Sequence, residues 1–114
     1  MKIGLDVMGG DFAPDATIKG ALLAREQIST DDRIFLFGPS DIIESKLKEF
    51  GADSTGFTIV HSPEIVGMSE RPIKAFTQKP NSSIANGFKY LKTKKVDSFA
   101  SAGNSGATMV GAMY

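Results

Sequence analysis

Short apolar runs separated by longer stretches with helical spacing set the strongest limit on how this chain can fold. Ile3 to Val7, Arg33 to Phe37, Phe57 to Val60 and Val96 to Ser101 are brief, rich in β-branched or aromatic residues, and bounded by Gly, Pro, Asp or Ser. That composition belongs to strands. Ile34-Phe35-Leu36-Phe37 is apolar without interruption rather than alternating, as in a strand covered on both faces. Strands of this kind joined through helices give an α/β architecture with a parallel sheet. With 114 residues, 41% of them hydrophobic, the chain has the size of one domain, and no linker, repeat or internal boundary interrupts it.

The segments between the strands carry helix signals. Pro14 stands at a first turn, and Ile18, Ala21, Leu22 and Ile28 follow along one face. In the next crossover Ser40 or Asp41 is placed to cap the start, Ile43, Leu47 and Phe50 form the apolar stripe, and Gly51 stands where a left-handed cap is wanted. Pro63, Gly67, Pro72 and Pro80 break up the stretch from Ser62 to Lys79, which reads mostly as loop. A third helix is predicted from Asn81 or Ser82 through Ile84, Phe88 and Leu91. Lys92, Lys94 and Lys95 follow, complementing the carbonyl end of its dipole. Asn104 or Ser105 resembles the cap of another helix, and the chain stops at Tyr114 without a stop signal, so the expectation is a sequence cut within a larger domain.

Charge and composition narrow the function classes. Thirteen Lys and Arg balance thirteen Asp and Glu, without the basic footprint that nucleic-acid binding requires. The chain has no Cys and a single His, which excludes disulfides, thiolate metal sites and a cysteine nucleophile. Asp6 interrupts the first apolar stretch before it reaches the length of a leader peptide's core, so a cytoplasmic protein is expected.

Two loops leave the carboxyl ends of predicted strands, where open α/β sheets place ligands. The first is Asp6-Val7-Met8-Gly9-Gly10-Asp11-Phe12-Ala13-Pro14. Its adjacent glycines let the backbone approach a ligand, while Asp6 and Asp11 could bind a donor or orient a lysine. Taken alone, a tight strand-to-helix turn explains it as well. The second is Ser101-Ala102-Gly103-Asn104-Ser105-Gly106-Ala107. A hydroxyl, glycines and an amide at a helix start can cradle an anion, and the same residues also make an ordinary helix cap.

Neither loop carries the dinucleotide or nucleotide-phosphate fingerprint. Lys79, before Pro80-Asn81-Ser82-Ser83, sets an ammonium beside another helix start, where it serves an anion or simply faces solvent. His61 is placed as an acid, a base or a hydrogen-bonded structural group, and Arg71 as a phosphate ligand or loop anchor.

Taken together, the Met8-Gly9-Gly10-Asp11 loop, the Lys79 to Ser83 segment and the Ser101-Ala102-Gly103-Asn104 block resemble the N-terminal third of the phosphate acyltransferase family of bacterial phospholipid synthesis. Val7 stands where that family usually has Ala, and Ser105 where Thr is usual, keeping the hydroxyl. The resemblance implies transfer of a fatty acyl group from acyl carrier protein to inorganic phosphate. It also implies a three-layer α/β/α sheet similar to the isocitrate and isopropylmalate dehydrogenase type, a homodimer, peripheral membrane association and no cofactor or metal.

Lys79 and Asn104 are the catalytic candidates. Asp6, Gly9, Gly10, Asp11, Ser82, Ser83, Ser101, Gly103, Ser105 and Gly106 are the candidates for binding phosphate or substrate. Phosphate is already nucleophilic, so the demand on the protein is positioning and oxyanion stabilisation. Competing readings are a phosphate acetyl- or butyryltransferase-like enzyme using a coenzyme A thioester, and a phosphate-binding fragment without activity.

Overall fold

In a computed structural model, which describes residues 1–10, 12–64 and 80–101, the rhythm of the sequence becomes a four-stranded, wholly parallel sheet. Its strands are β1 (Lys2–Asp6), β2 (Arg33–Gly38), β3 (Phe57–His61) and β4 (Ser98–Ala100), in the spatial order β3-β2-β1-β4. The helices are α1 (Asp15–Gln27), α2 (Ser40–Glu49) and α3 (Ser83–Lys92). The chain moves outward from β1 through β2 to β3, then crosses back so that β4 lies on the other side of β1. The order therefore reverses between β1 and β4, and in open α/β sheets the carboxyl ends at such a reversal are where ligands bind.

Alternation along the strands sorts the apolar residues onto two faces. Ile34 and Leu36 pack with Val7, Ile18, Ala21, Ile43, Leu47 and Phe57 in the core beneath α1 and α2. Phe35 and Phe37 turn the opposite way, toward α3. The Tyr90 ring meets them edge-on with centroids 6.3 and 5.2 Å away. Phe37 also meets Phe99 edge-on at 5.5 Å, and Phe99 meets Phe88 at 5.5 Å. Gly4 makes room for this aromatic layer, since a Cβ there would stand 3.0 Å from both Phe37 and Phe99.

The helix ends show where local signals decide and where they do not. Gly51, at φ +69°, donates its N–H to the Lys48 carbonyl at 3.0 Å, and Ala52 donates to Leu47 at 2.9 Å. This is the paired-bond ending expected of a left-handed glycine cap. At the start of α2 the expectation of a Ser40 or Asp41 side-chain cap is corrected. Pro39 occupies the cap position without a side-chain bond, and the Ser40 N–H donates instead to Nδ1 of His61, 3.0 Å away. His61 Nδ1 thus serves here as a structural acceptor.

β4 is shorter than the predicted Val96 to Ser101. The Asp97 carboxylate, rather than a strand carbonyl, accepts the Lys2 N–H at 2.7 Å, so regular strand begins only at Ser98.

Candidate oxyanion site at the sheet switch point

The carboxyl ends of β1 and β4 are organised around Asp6, the last residue of β1. On the sheet's alternation this side chain points toward α3, and it is only 1% exposed. Its Oδ1 accepts from the Ser83 hydroxyl in the first turn of α3 and from the Met8 N–H at 3.1 Å. Its Oδ2 accepts from the Ser101 hydroxyl, just beyond β4, at 2.7 Å. One carboxylate thus joins the ends of two strands and the start of a helix. Burial pushes the Asp6 carboxyl above its ordinary range, opposed by the hydroxyls of Ser83 and Ser101 and the N–H groups of Met8 and Gly9.

The loop after β1 is tight. The Gly9 N–H reaches back to the Asp6 carbonyl at 3.4 Å, and Gly10 adopts φ +92°, a conformation that favours glycine. Thr17 fastens the first turn of α1 beneath this loop, its hydroxyl lying 2.5 Å from the Val7 carbonyl and 2.9 Å from that of Pro14.

The start of α3 is held from several sides. Ser82 caps the helix by accepting the Ala85 N–H at 3.2 Å, which leaves Ser83 to face Asp6. Asn86, one turn further on, donates its side-chain amide to the buried Ser62 hydroxyl at 2.9 Å, tying α3 to the exit of β3. Asn81 and Glu64 exchange a pair of bonds: the Asn81 N–H donates to Glu64 Oε1 at 2.9 Å, and the Glu64 N–H donates to the Asn81 carbonyl at 3.3 Å. Thr17, Ser62, Glu64 and Asn86 were not singled out from the sequence. Asn86 stands three residues after Ser83, one helical step along the same face.

Of the candidate residues, Asp6, Ser83 and Ser101 are brought into direct contact, with Gly9 and Gly10 in the loop immediately after Asp6 and Ser82 next to Ser83. Asp11, Arg71, Lys79, Gly103, Asn104, Ser105 and Gly106 lie outside the described residues. Among the described residues no group of His, Cys, Asp or Glu is arranged to hold a metal, and no helix is long and apolar enough to cross a membrane.

The sequence model of a family described as "Fatty acid synthesis protein" matches residues 1–114. A protein named phosphate acyltransferase from Caldicellulosiruptor saccharolyticus is 42% identical over 113 residues, covering 99% of this chain and 34% of that protein. Its namesake from Herpetosiphon aurantiacus is 40% identical over 114 residues, covering 100% of this chain and 30% of that protein. Another, from Chlorobaculum parvum, is 35% identical over 114 residues, covering 100% and 33%. The chain spans about a third of the length of the curated relatives it matches.

Proposed function

This chain belongs to the fatty acid synthesis protein family, and from that premise we propose that it forms the phosphate-holding part of an acyltransferase that moves a fatty acyl group from acyl carrier protein to inorganic phosphate. The observation that carries the reading is the meeting of the Asp6 and Ser101 loops at the switch point of the sheet. Small anionic ligands are bound at such switch points by backbone N–H groups.

The reaction asks for little covalent chemistry from the protein. A phosphate oxygen attacks the thioester carbonyl carbon, and the carbonyl oxygen becomes a tetrahedral oxyanion. The C–S bond then breaks, giving acyl phosphate and a carrier-protein thiolate that takes up a proton. Positioning and oxyanion stabilisation dominate such a step.

In this reading the Gly9-Gly10 backbone closes one side of the phosphate site. The N–H groups from Gly103 to Gly106, with Asn104 and Ser105, close the other. Lys79 offsets the phosphate charge, and Asp11 orients Lys79 or a donor. The protein works as a homodimer in the cytoplasm, against the surface of the membrane that uses its product. The names of the relatives and the family description support phosphate and a fatty acyl donor as substrates.

Replacing Asn104 with Ala in the full-length protein tests the reading. Acyl phosphate formation from acyl carrier protein is measured against phosphate concentration, with an acyl coenzyme A donor in parallel. The expected result is a loss of about 100-fold in kcat/KM for phosphate, the scale of removing one oxyanion donor, and a preference for the carrier-protein donor. Unchanged phosphate dependence removes Asn104 from the site.

A further inference from the structure

Asp6 presents a chemical puzzle within that reading. A carboxylate pointed at bound phosphate would repel it, and burying one is costly unless something compensates. Among the described residues no cationic side chain forms an ion pair with Asp6, and with 1% exposure it offers almost no surface to a ligand. Both of its oxygens are instead occupied by donors from α3, the exit of β4 and the loop after β1.

Each oxygen of a carboxylate accepts hydrogen bonds, so Asp6 can serve the Ser83 and Ser101 hydroxyls at once. Asparagine in the same place would offer one oxygen and one NH2 group, forcing one serine to turn its hydroxyl round.

We propose that Asp6 is a positioning residue for acyl transfer to phosphate, clamping the start of α3 and the exit of β4 to the end of β1 so that the loops on either side of the phosphate keep a fixed spacing. This inference rests on the reading of phosphate as the acyl acceptor. The Ser62–Asn86 and Glu64–Asn81 bonds hold α3 against the β3 side independently of Asp6. Loss of the carboxylate therefore leaves the helix docked and shifts its first turn relative to β4. Phosphate binding feels that shift first.

The test uses Asp6→Asn, Ser101→Ala and Ser101→Thr in the full-length protein, with initial rates of acyl phosphate formation measured while phosphate and acyl donor are varied in turn. Asp6→Asn is expected to raise the KM for phosphate about tenfold or more, within the range that a 1 Å misplacement produces, while the KM for acyl donor stays at its wild-type value. Ser101→Ala is expected to move in the same direction. Ser101→Thr keeps the hydroxyl and restores the wild-type KM, and Asp6→Asn with Ser101→Ala is no worse than Asp6→Asn alone.

A merely structural role would lower the amount of active enzyme and leave both KM values in place. That result, or a wild-type phosphate KM in folded Asp6→Asn, overturns the proposal while leaving the function standing. If Asp6→Asn does not fold, the contrast between Ser101→Ala and Ser101→Thr decides alone, and equal KM values for the two overturn it. A wild-type protein that forms no acyl phosphate overturns the functional reading and this inference together.

Discussion

Replacing Gly87 with Ala is expected to destabilise the fold by about 3 kcal/mol, the upper end for forcing extra volume into a packed site. On helix propensity alone the sign would be opposite, since Ala in a helix interior is favoured over Gly by about 1 kcal/mol. Tertiary packing reverses it. Gly87 is buried on the face of α3 that meets β4, and a Cβ there would stand 2.1, 2.2 and 2.6 Å from three carbons of the Phe99 ring.

Moving the half-buried Phe99 ring aside costs its edge-on contacts with Phe37 and Phe88, whose centroids each lie 5.5 Å away. Urea unfolding of Gly87→Ala reads the cost directly. The double variant Gly87→Ala with Phe99→Leu is expected to recover part of it, a coupling that independent sites would not show.

Phe37→Ala has the other large expected effect, about 4 kcal/mol. The ring is 0% exposed and lies edge-on to both Tyr90 and Phe99, so truncation opens a void that three elements share. Typical domains hold only about 5–15 kcal/mol of net stability, so this change removes a large share of the total. Phe37 also pairs in register with Asp6, and the loosened sheet should show faster amide exchange at both strand ends. Thermal and urea midpoints of Phe37→Ala against wild type check the magnitude. A loss below about 1 kcal/mol, typical of ordinary surface changes, would show that the aromatic layer beneath α3 is not a packed core.

The sheet was legible in the sequence because parallel strands covered on both faces read as short unbroken apolar runs. Ile34-Phe35-Leu36-Phe37 is such a run and became β2. The ending of α2 was legible too, since Gly51 acts through bonds to Leu47 and Lys48 close behind it. Features built across the chain were not. The His61 acceptor that replaces a cap on α2 comes from 21 residues away. Asp6 finds Ser83 and Ser101 at separations of 77 and 95 residues.

Each glycine-containing loop could be read as an ordinary turn when taken alone. Their placement at adjacent strand ends depends on the reversal of strand order, a property of topology that local residue patterns do not encode. Gly87 was silent for the same reason: the ring that excludes a side chain there arrives from β4.

The account stands on a single oxyanion being held between the loops that leave β1 and β4. Its most direct test is titration of the full-length protein with inorganic phosphate while the backbone amide resonances of Gly9, Gly10 and Ser101 are followed. Saturable shifts at these amides are expected, with Gly51 and Gly56 unmoved. Among the described residues a groove of about 450 Å³ at the opposite end of the sheet, lined by Arg25 and Arg33 as well as by Asp32 and Asp53, serves as the internal control. Phosphate-dependent shifts centred on that groove, with Gly9, Gly10 and Ser101 unchanged, would contradict the account.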